Sequence, residues 1–323
     1  MHILLIGCGN IGLRHLQSIL TMQNNKTISI VDPSKSSLQK AADLNSDSVN
    51  TINKINLYTS INEINNMHEV DIALIATSAS VRANIIKELF CKTTPKHLIL
   101  EKLLFTRTDD LKFFYDFFKS FKTKVWVNQW LDSEISHISK LLPKNKKFNL
   151  EISGKQWGLC CNSVHFIEWF HSLTSRQSIE VKEHQFSKII EAKRPGFYEI
   201  LGSITLESNS GNSLRLLSLE GFDPKESINI KISWMNSQIS CVWTDDNLIG
   251  YLKNDNELKK PIKEKIKYQS QRTHQVIYDL ISKNYCSLPN YELSYKHHLL
   301  FYPLFDEFFK NNGFNLDHGI PIT

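Results

Sequence analysis

The sequence predicts an α/β protein in two parts. Residues 1–125 read as a doubly wound parallel sheet, and residues 126–323 as an α+β domain with an open, mostly antiparallel sheet. Three observations carry this. Apolar runs alternate with amphipathic helical stretches through the first part, the pattern of a parallel sheet covered on both faces. From about residue 130, strand-like segments follow one another directly, which favours antiparallel pairing. The stretch "LIGCGNIGLRHL", residues 5–16, places three glycines where a strand gives way to a helix.

Each element has its own signal. "MHILLIG" is apolar without polar alternation, as a strand buried on both faces should be. The following helix carries Ile11, Leu16, Ile19 and Leu20 on one stripe. "TISIVDPS" predicts a strand from Thr27 to Val31, closed by Asp32 and Pro33, and the polar stretch after it predicts a helix near 34–44. "DIALIATSA" (71–79) is a buried strand, "ANIIKELF" (83–90) a helix, and "HLILEKLLF" (97–105) a strand ending on a charged pair. "DDLKFFYDFFKSF" (109–121) is an amphipathic helix before the strand "KVWVNQW" (124–130). Further on, "KKFNLEISGKQW" and "SITLESNSGNSLRLLSLEG" read as strands, the second a pair joined by an "NSGN" turn. "ESINIKISWMNSQISCVWTDDNLIGYLK" continues the series. "RTHQVIYDLISKN" and "YELSYKHHLLFYPLFDEFFKNNG" are helical, with a kink or break expected at Pro303.

Composition narrows the function. A chain of 323 residues with 41% hydrophobic and 22% charged residues is ordinary for a soluble protein. Its net charge of +5 is spread out, which argues against nucleic acid as a partner. The basic stretch "LKKPIKEKIKYQ" (258–269) is interrupted by Glu264 and reads as a solvated loop or strand edge, with a possible part in holding an anionic substrate. Six cysteines show neither metal-ligand nor disulfide spacing, so no metal is expected. With no signal-peptide pattern and no long apolar run, the expectation is a cytoplasmic protein without membrane contact.

The glycine stretch has a specific chemistry. Gly7 permits a tight turn, Gly9 lets a pyrophosphate approach the backbone, and Gly12 lets the helix pack closely on the strand. Asn10 and Ile11, between them, begin the helix, whose free N–H groups and dipole suit phosphate. Asp32 follows Gly12 by twenty residues, where a carboxylate can bond both ribose hydroxyls and would repel a 2′-phosphate. This points to NAD over NADP as cofactor, with nearby Lys35 weakening the preference. The alternative for Asp32 alone is a turn residue before proline.

At the next relevant strand end stand Glu101 and Lys102. A lysine at this edge is a candidate for proton transfer, and the alternative is a solvated ion pair. With the glycine loop, the strand-end acid and "ATS" at 76–78, the chain resembles the Gfo/Idh/MocA oxidoreductases, whose first domain is a Rossmann fold. The resemblance implies that Ala76, Thr77, Ser78, Glu101 and Asn128 contact the cofactor, with Asn128 also beside substrate hydroxyls. It implies a Glu-Lys-Pro motif where this chain has Leu103 in place of proline, a residue that makes a cis bond costly. Many relatives carry a histidine near the position of Arg82.

A later family signature, Asp-x-x-x-His with a following acid, is similar to "WGLCCNSVHFIEWF". The match implies Lys102 and His165 as the proton-handling pair, with Glu168 as the acid. Cys161 takes the Asp position, and Asn162 lies one residue on, about 100° around a helix. The alternative for His165 is a packed or surface histidine. Trp157 and Tyr198 are candidates to stack on a substrate, with Asn162 in the same wall, and Lys193 and Arg194 are candidates to hold an anion. An ordinary basic turn explains the last two equally well.

The resemblance implies a homo-oligomer built through the C-terminal sheet and an oxidoreductase acting on a carbohydrate, a sugar nucleotide or acidic sugar of surface-polysaccharide synthesis. A polyol or cyclitol substrate, or a non-catalytic dinucleotide-binding sensor, stands as the alternative.

Overall fold

The computed structural model of the chain describes residues 1–23, 25–46, 54–64, 69–143, 146–255 and 257–323. They divide into two units, Met1–Asn128 with Lys267–Tyr295, and Gln129–Ile266 with Lys296–Thr323.

The first unit is built on six parallel strands: β1 (His2–Ile6), β2 (Thr27–Val31), β3 (Lys54–Tyr58), β4 (Ile72–Ile75), β5 (His97–Leu100) and β6 (Lys124–Val127). Their order is β3-β2-β1-β4-β5-β6. Helices α1 (Asn10–Leu20), α2 (Lys35–Ser46), α3 (Ala79–Lys92) and α4 (Thr108–Phe117) alternate with them. Ile3, Leu4 and Leu5 of β1 and all four residues of β4 are fully buried, which explains why these strands lack polar alternation. Each large apolar side chain so buried contributes about 1.5–3 kcal/mol. The strand order reverses between β1 and β4, so the loops at their C-terminal ends part and leave the crevice where such sheets bind ligands.

The second unit holds two one-turn helices, α5 (Leu131–Glu134) and α6 (Ser136–Ser139), and the longer α7 (Leu159–Leu173). Its strands are β7 (Asn149–Lys155), β8 (Ile179–Glu191), β9 (Tyr198–Ser208), β10 (Ser213–Leu219), β11 (Ile228–Trp234), β12 (Ser237–Thr244), β13 (Asn247–Asn254) and β14 (Glu257–Lys265). They form one sheet in the order β14-β13-β12-β11-β7-β10-β9-β8. Only the β7–β10 pair is parallel among these ladders. Leu150 and Ile152 pair with Leu214 and Leu216, and all four are buried. The alternate residues Glu151 and Arg215 point to the other face, so one face of the sheet is covered and α7 packs on it at β9 and β10. The basic stretch is the edge strand β14, where the missing N–H of Pro261 is tolerated.

Two last helices complete the chain. α8 (Thr273–Lys283) belongs to the first unit, and α9 (Tyr291–Asn311) runs from the first into the second. Of the kink or break expected at Pro303, the break does not occur, since α9 runs through the proline. The proline lies on the exposed side of α9, while Phe301, Tyr302, Phe305 and Phe309 are fully buried on the other. This apolar anchoring outweighs the local cost of the ring. β3 and β8 were not foreseen, because "KINLY" is half-exposed and β8 is exposed along most of its length.

Candidate functional site

The glycine loop joins β1 to α1 as the spacing requires. Gly7 has φ +90°, and a Cβ there would lie 2.9 Å from the Ala76 carbonyl carbon. A Cβ on Gly12 would lie 2.0 Å from the Gly7 carbonyl oxygen. Both glycines are therefore demanded by packing. Gly9 differs: a Cβ there would meet nothing within 4 Å. Its smallness serves no contact within the chain, which is what a loop shaped for a ligand should show. α1 has no side-chain cap and no acid in its first turn, so the N-terminal N–H groups, at Asn10 and Ile11 among others, face outward with the positive helix end.

Asp32 closes β2 beside this loop. One carboxylate oxygen accepts from Cys8 N–H at 2.6 Å and the other from Ser34 N–H at 2.8 Å. These bonds fix the carboxylate and leave lone pairs on both oxygens for a diol. Cys8 is buried, and burial followed by the Asp32 charge pushes its thiol up to about 12, so it is inert at neutral pH.

Ala76, Thr77 and Ser78 form the loop after β4. Ala76 N–H still donates to Ile6 across the ladder at 2.8 Å. Thr77 Oγ1 is buried with no hydrogen-bond partner among the described residues. Glu101 and Lys102 follow β5 at the same edge, Lys102 half-buried and the Lys102–Leu103 peptide bond cis. The cis geometry is thus present without the proline of the family motif.

Glu101 is the centre of a buried network that sequence reasoning missed. Its Oε1 accepts from His15 Nε2 at 2.8 Å and from Asn128 Nδ2 at 2.5 Å. His15 Nδ1 lies 2.8 Å from Thr273 Oγ1. Gln269 Oε1 accepts from Asn128 at 3.0 Å and from Arg272 at 2.7 Å. Burial alone would raise the Glu101 carboxyl, but the bond and charge of His15, then Asn128 and the Arg82 charge, hold it below the usual carboxylate range. The placement of His15 on the apolar face of α1 was the one visible signal. Gln269 and Thr273 come from the returning segment and carried none.

The second unit holds the other candidates. His165, 7% exposed on α7, has the Trp130 ring at 5.3 Å. At the N-terminus of α7, Gly158 adopts φ +86° and supplies no side-chain cap. Glu199 from β9 does this instead, accepting from Cys160 N–H at 2.6 Å and Cys161 N–H at 3.2 Å. Glu199 was not foreseen, since nothing local in the sequence links it to α7. Asn162 Nδ2 donates to the Trp157 carbonyl at 2.9 Å. Trp157 itself is 5% exposed, donates to the Leu217 carbonyl at 2.9 Å and packs edge-on to Phe166. Its ring is part of the core.

Lys193 and Arg194 lie on the turn between β8 and β9. Among the described residues their side chains meet Glu226 and the Phe197 ring. Tyr198 packs edge-on to Phe314 at 4.8 Å. Glu168, 1% exposed, is clamped by Arg176 at 2.8 and 3.2 Å with His297 at 3.4 Å. Burial raises its carboxyl, with Arg176 opposing.

A glycine loop at a helix N-terminus, a fixed acid at the end of β2 and this strand order define a dinucleotide-binding α/β domain. Residues 1–129 match the Gfo/Idh/MocA family model, described as an oxidoreductase family with an NAD-binding Rossmann fold. No curated protein matches the sequence significantly. Several solved structures share the fold over nearly the whole chain. The UDP-N-acetylglucosamine 3-dehydrogenase GnnA from Acidithiobacillus ferrooxidans has TM-score 0.68 at 12% identity, covering 92% of this chain and 94% of its own. The WlbA dehydrogenase from Bordetella pertussis, solved with NADH and UDP-GlcNAcA, has TM-score 0.64 at 11% identity, with 92% of each chain covered. KijD10, a 3-ketoreductase from Actinomadura kijaniata solved with NADP, has TM-score 0.68 at 13% identity, covering 93% and 95%. Among the described residues no helix is long and apolar enough to cross a membrane.

Proposed function

We propose that the protein is an NAD-dependent oxidoreductase acting on a hydroxyl or carbonyl group of a carbohydrate, a sugar nucleotide or acidic sugar used in surface-polysaccharide synthesis. One observation carries the reading. The glycine loop, Asp32 and Lys102 occupy the same C-terminal edge of one parallel sheet, with Gly9 opening on free space. The sugar-nucleotide chemistry named for GnnA and WlbA supports the substrate class.

The residues fit a dinucleotide. The N–H groups from Gly9 to Gly12 would hold the pyrophosphate, and Asp32 the adenosine ribose. The bound nicotinamide supplies the hydride acceptor or donor. The chain supplies the rest. Asn128 and the Ala76–Ser78 loop orient the bound groups. Lys102 or His165 takes the hydroxyl proton in oxidation and returns it in reduction. Asn162 lines the substrate side, and the Lys193/Arg194 turn offers positive charge to an anionic substrate. The working form is a cytoplasmic homo-oligomer built on the outer face of the eight-stranded sheet, where Val242 and Ile249 pair and are 43% and 52% exposed.

Fluorescence titration with NADH and NADPH, alongside Asp32→Ala, tests the reading. Tighter binding of NADH, with the preference relaxed in the variant, is expected. A screen of nucleotide sugars then reads turnover by cofactor absorbance. Absence of binding by either cofactor overturns the proposal. Binding without turnover on any sugar or polyol favours a dinucleotide sensor.

A further inference from the structure

We infer that Arg82 is the positioning residue for Lys102, an inference that rests on the reading of Lys102 as a proton carrier. Arg82 lies on α3 and is 1% exposed, one of the largest fully buried side chains of the protein. Its guanidinium reaches four backbone carbonyls. Nη1 donates to Glu101 O and Leu104 O, each at 2.7 Å, and to Leu103 O. Nη2 donates to Thr77 O. One side chain thus binds the loop after β4 and both flanks of Lys102 in the loop after β5.

The need for such a residue follows from the backbone. Up to Leu100 the chain is held by ladder bonds, and the last of these are Glu101 N–H to Ile75 O at 3.1 Å and Asn128 N–H to Leu100 O at 2.9 Å. Beyond them the chain leaves the sheet but stays buried, with Leu103, Leu104 and Phe105 at most 1% exposed. Buried carbonyls must find donors. Lysine would offer a point charge, and an imidazole ring two nitrogens at most. A guanidinium has five N–H donors in a rigid fork, enough to serve several carbonyls of two loops at once. The same cation lies close enough to Glu101 to help keep that carboxylate charged. Arg82 therefore holds the main chain on either side of Lys102 and leaves the ammonium at a fixed place on the sheet edge.

The test reads Lys102 directly and needs no substrate. Lysines are reductively methylated with isotope-labelled formaldehyde, and the Lys102 signal is the one lost in Lys102→Arg. In the wild-type protein it should stand apart from the solvent lysines. In Arg82→Gln and Arg82→His it should move into their envelope. Amide exchange over residues 101–106 should quicken about tenfold or more as charge-assisted bonds are lost. A Lys102 signal that keeps its position in a folded variant overturns the inference. So does a wild-type signal already among the solvent lysines, a measurement available even if both variants fail to fold. Failure of the functional reading shows elsewhere, as turnover retained in Lys102→Met.

Discussion

His15 Nε2 lies 2.8 Å from Glu101 Oε1, so the helix that opens at the glycine loop is tied to the residue preceding Lys102. Both side chains are buried, and the pair keeps a charged carboxylate where burial alone would neutralise it. Because the Glu101 carboxyl sits below its unfolded value, it adds stability at neutral pH. That stability is lost as the pH falls through the depressed value. His15→Ala should cost about 1.5–3 kcal/mol at neutral pH, the worth of a hydrogen bond to a charged group. The gap to wild type should narrow in acid. Urea unfolding at several pH values checks this, and a gap independent of pH would refute it.

Gly9 and Gly12 should respond oppositely to alanine. A Cβ on Gly12 collides with the Gly7 carbonyl, so Gly12→Ala should destabilise by about 1–3 kcal/mol as an overpacked site. Gly9 has φ −70°, open to any residue, and free space around it. Gly9→Ala should leave the melting temperature unchanged and weaken NADH binding at least about tenfold by blocking the pyrophosphate's approach. Equal melting losses in the two variants would contradict the assignment of Gly9 to a ligand.

What the sequence disclosed, and what it hid, follows from how each residue is used. Gly7, Gly12 and Asp32 were legible because their roles are local and fixed by backbone geometry. The alternating elements of the first unit were legible because β1 and β4 are buried on both faces. Glu199 was not, because it caps α7 from a strand far along the chain. Gln269 and Thr273 were hidden for the same reason, since a returning segment brings them to His15 and Asn128. Trp157 looked like a stacking platform, yet the structure commits its indole to Leu217 and Phe166. An aromatic residue in a polar stretch does not reveal which way its ring faces.

Glu199→Ala should loosen the start of α7. The carboxylate serves two N–H groups at a helix end that has no cap of its own. The loss should be about 1–2 kcal/mol, at the upper end for a helix cap. Amide exchange at Cys160 and Cys161 should rise before exchange elsewhere in α7. Uniform exchange along the helix would show that Glu199 is not the cap.

Arg176 and Glu168 give a prediction of opposite sign in pH. The buried Glu168 carboxyl is raised, and Arg176 is what opposes the rise. Removing the guanidinium lifts it further. A group raised on folding contributes stability at low pH that is lost as pH rises through its folded value. Arg176→Ala should therefore be near wild type in acid and lose about 1.5–3 kcal/mol at neutral pH. Glu168→Gln should flatten this dependence, since the amide carries no charge. Denaturation curves across pH decide between this and a purely steric role for the pair.

Lys102→Met separates binding from chemistry. The side chain belongs to neither the glycine loop nor the Asp32 site, so NADH affinity should stay within about threefold of wild type. If Lys102 carries the hydroxyl proton, turnover on any accepted sugar should fall by about a hundredfold or more, the usual contribution of a positioned acid or base. KM should change far less than kcat, because the lost interaction acts in the transition state. Normal kcat in Lys102→Met would remove Lys102 from the chemistry and leave His165 as the candidate to examine.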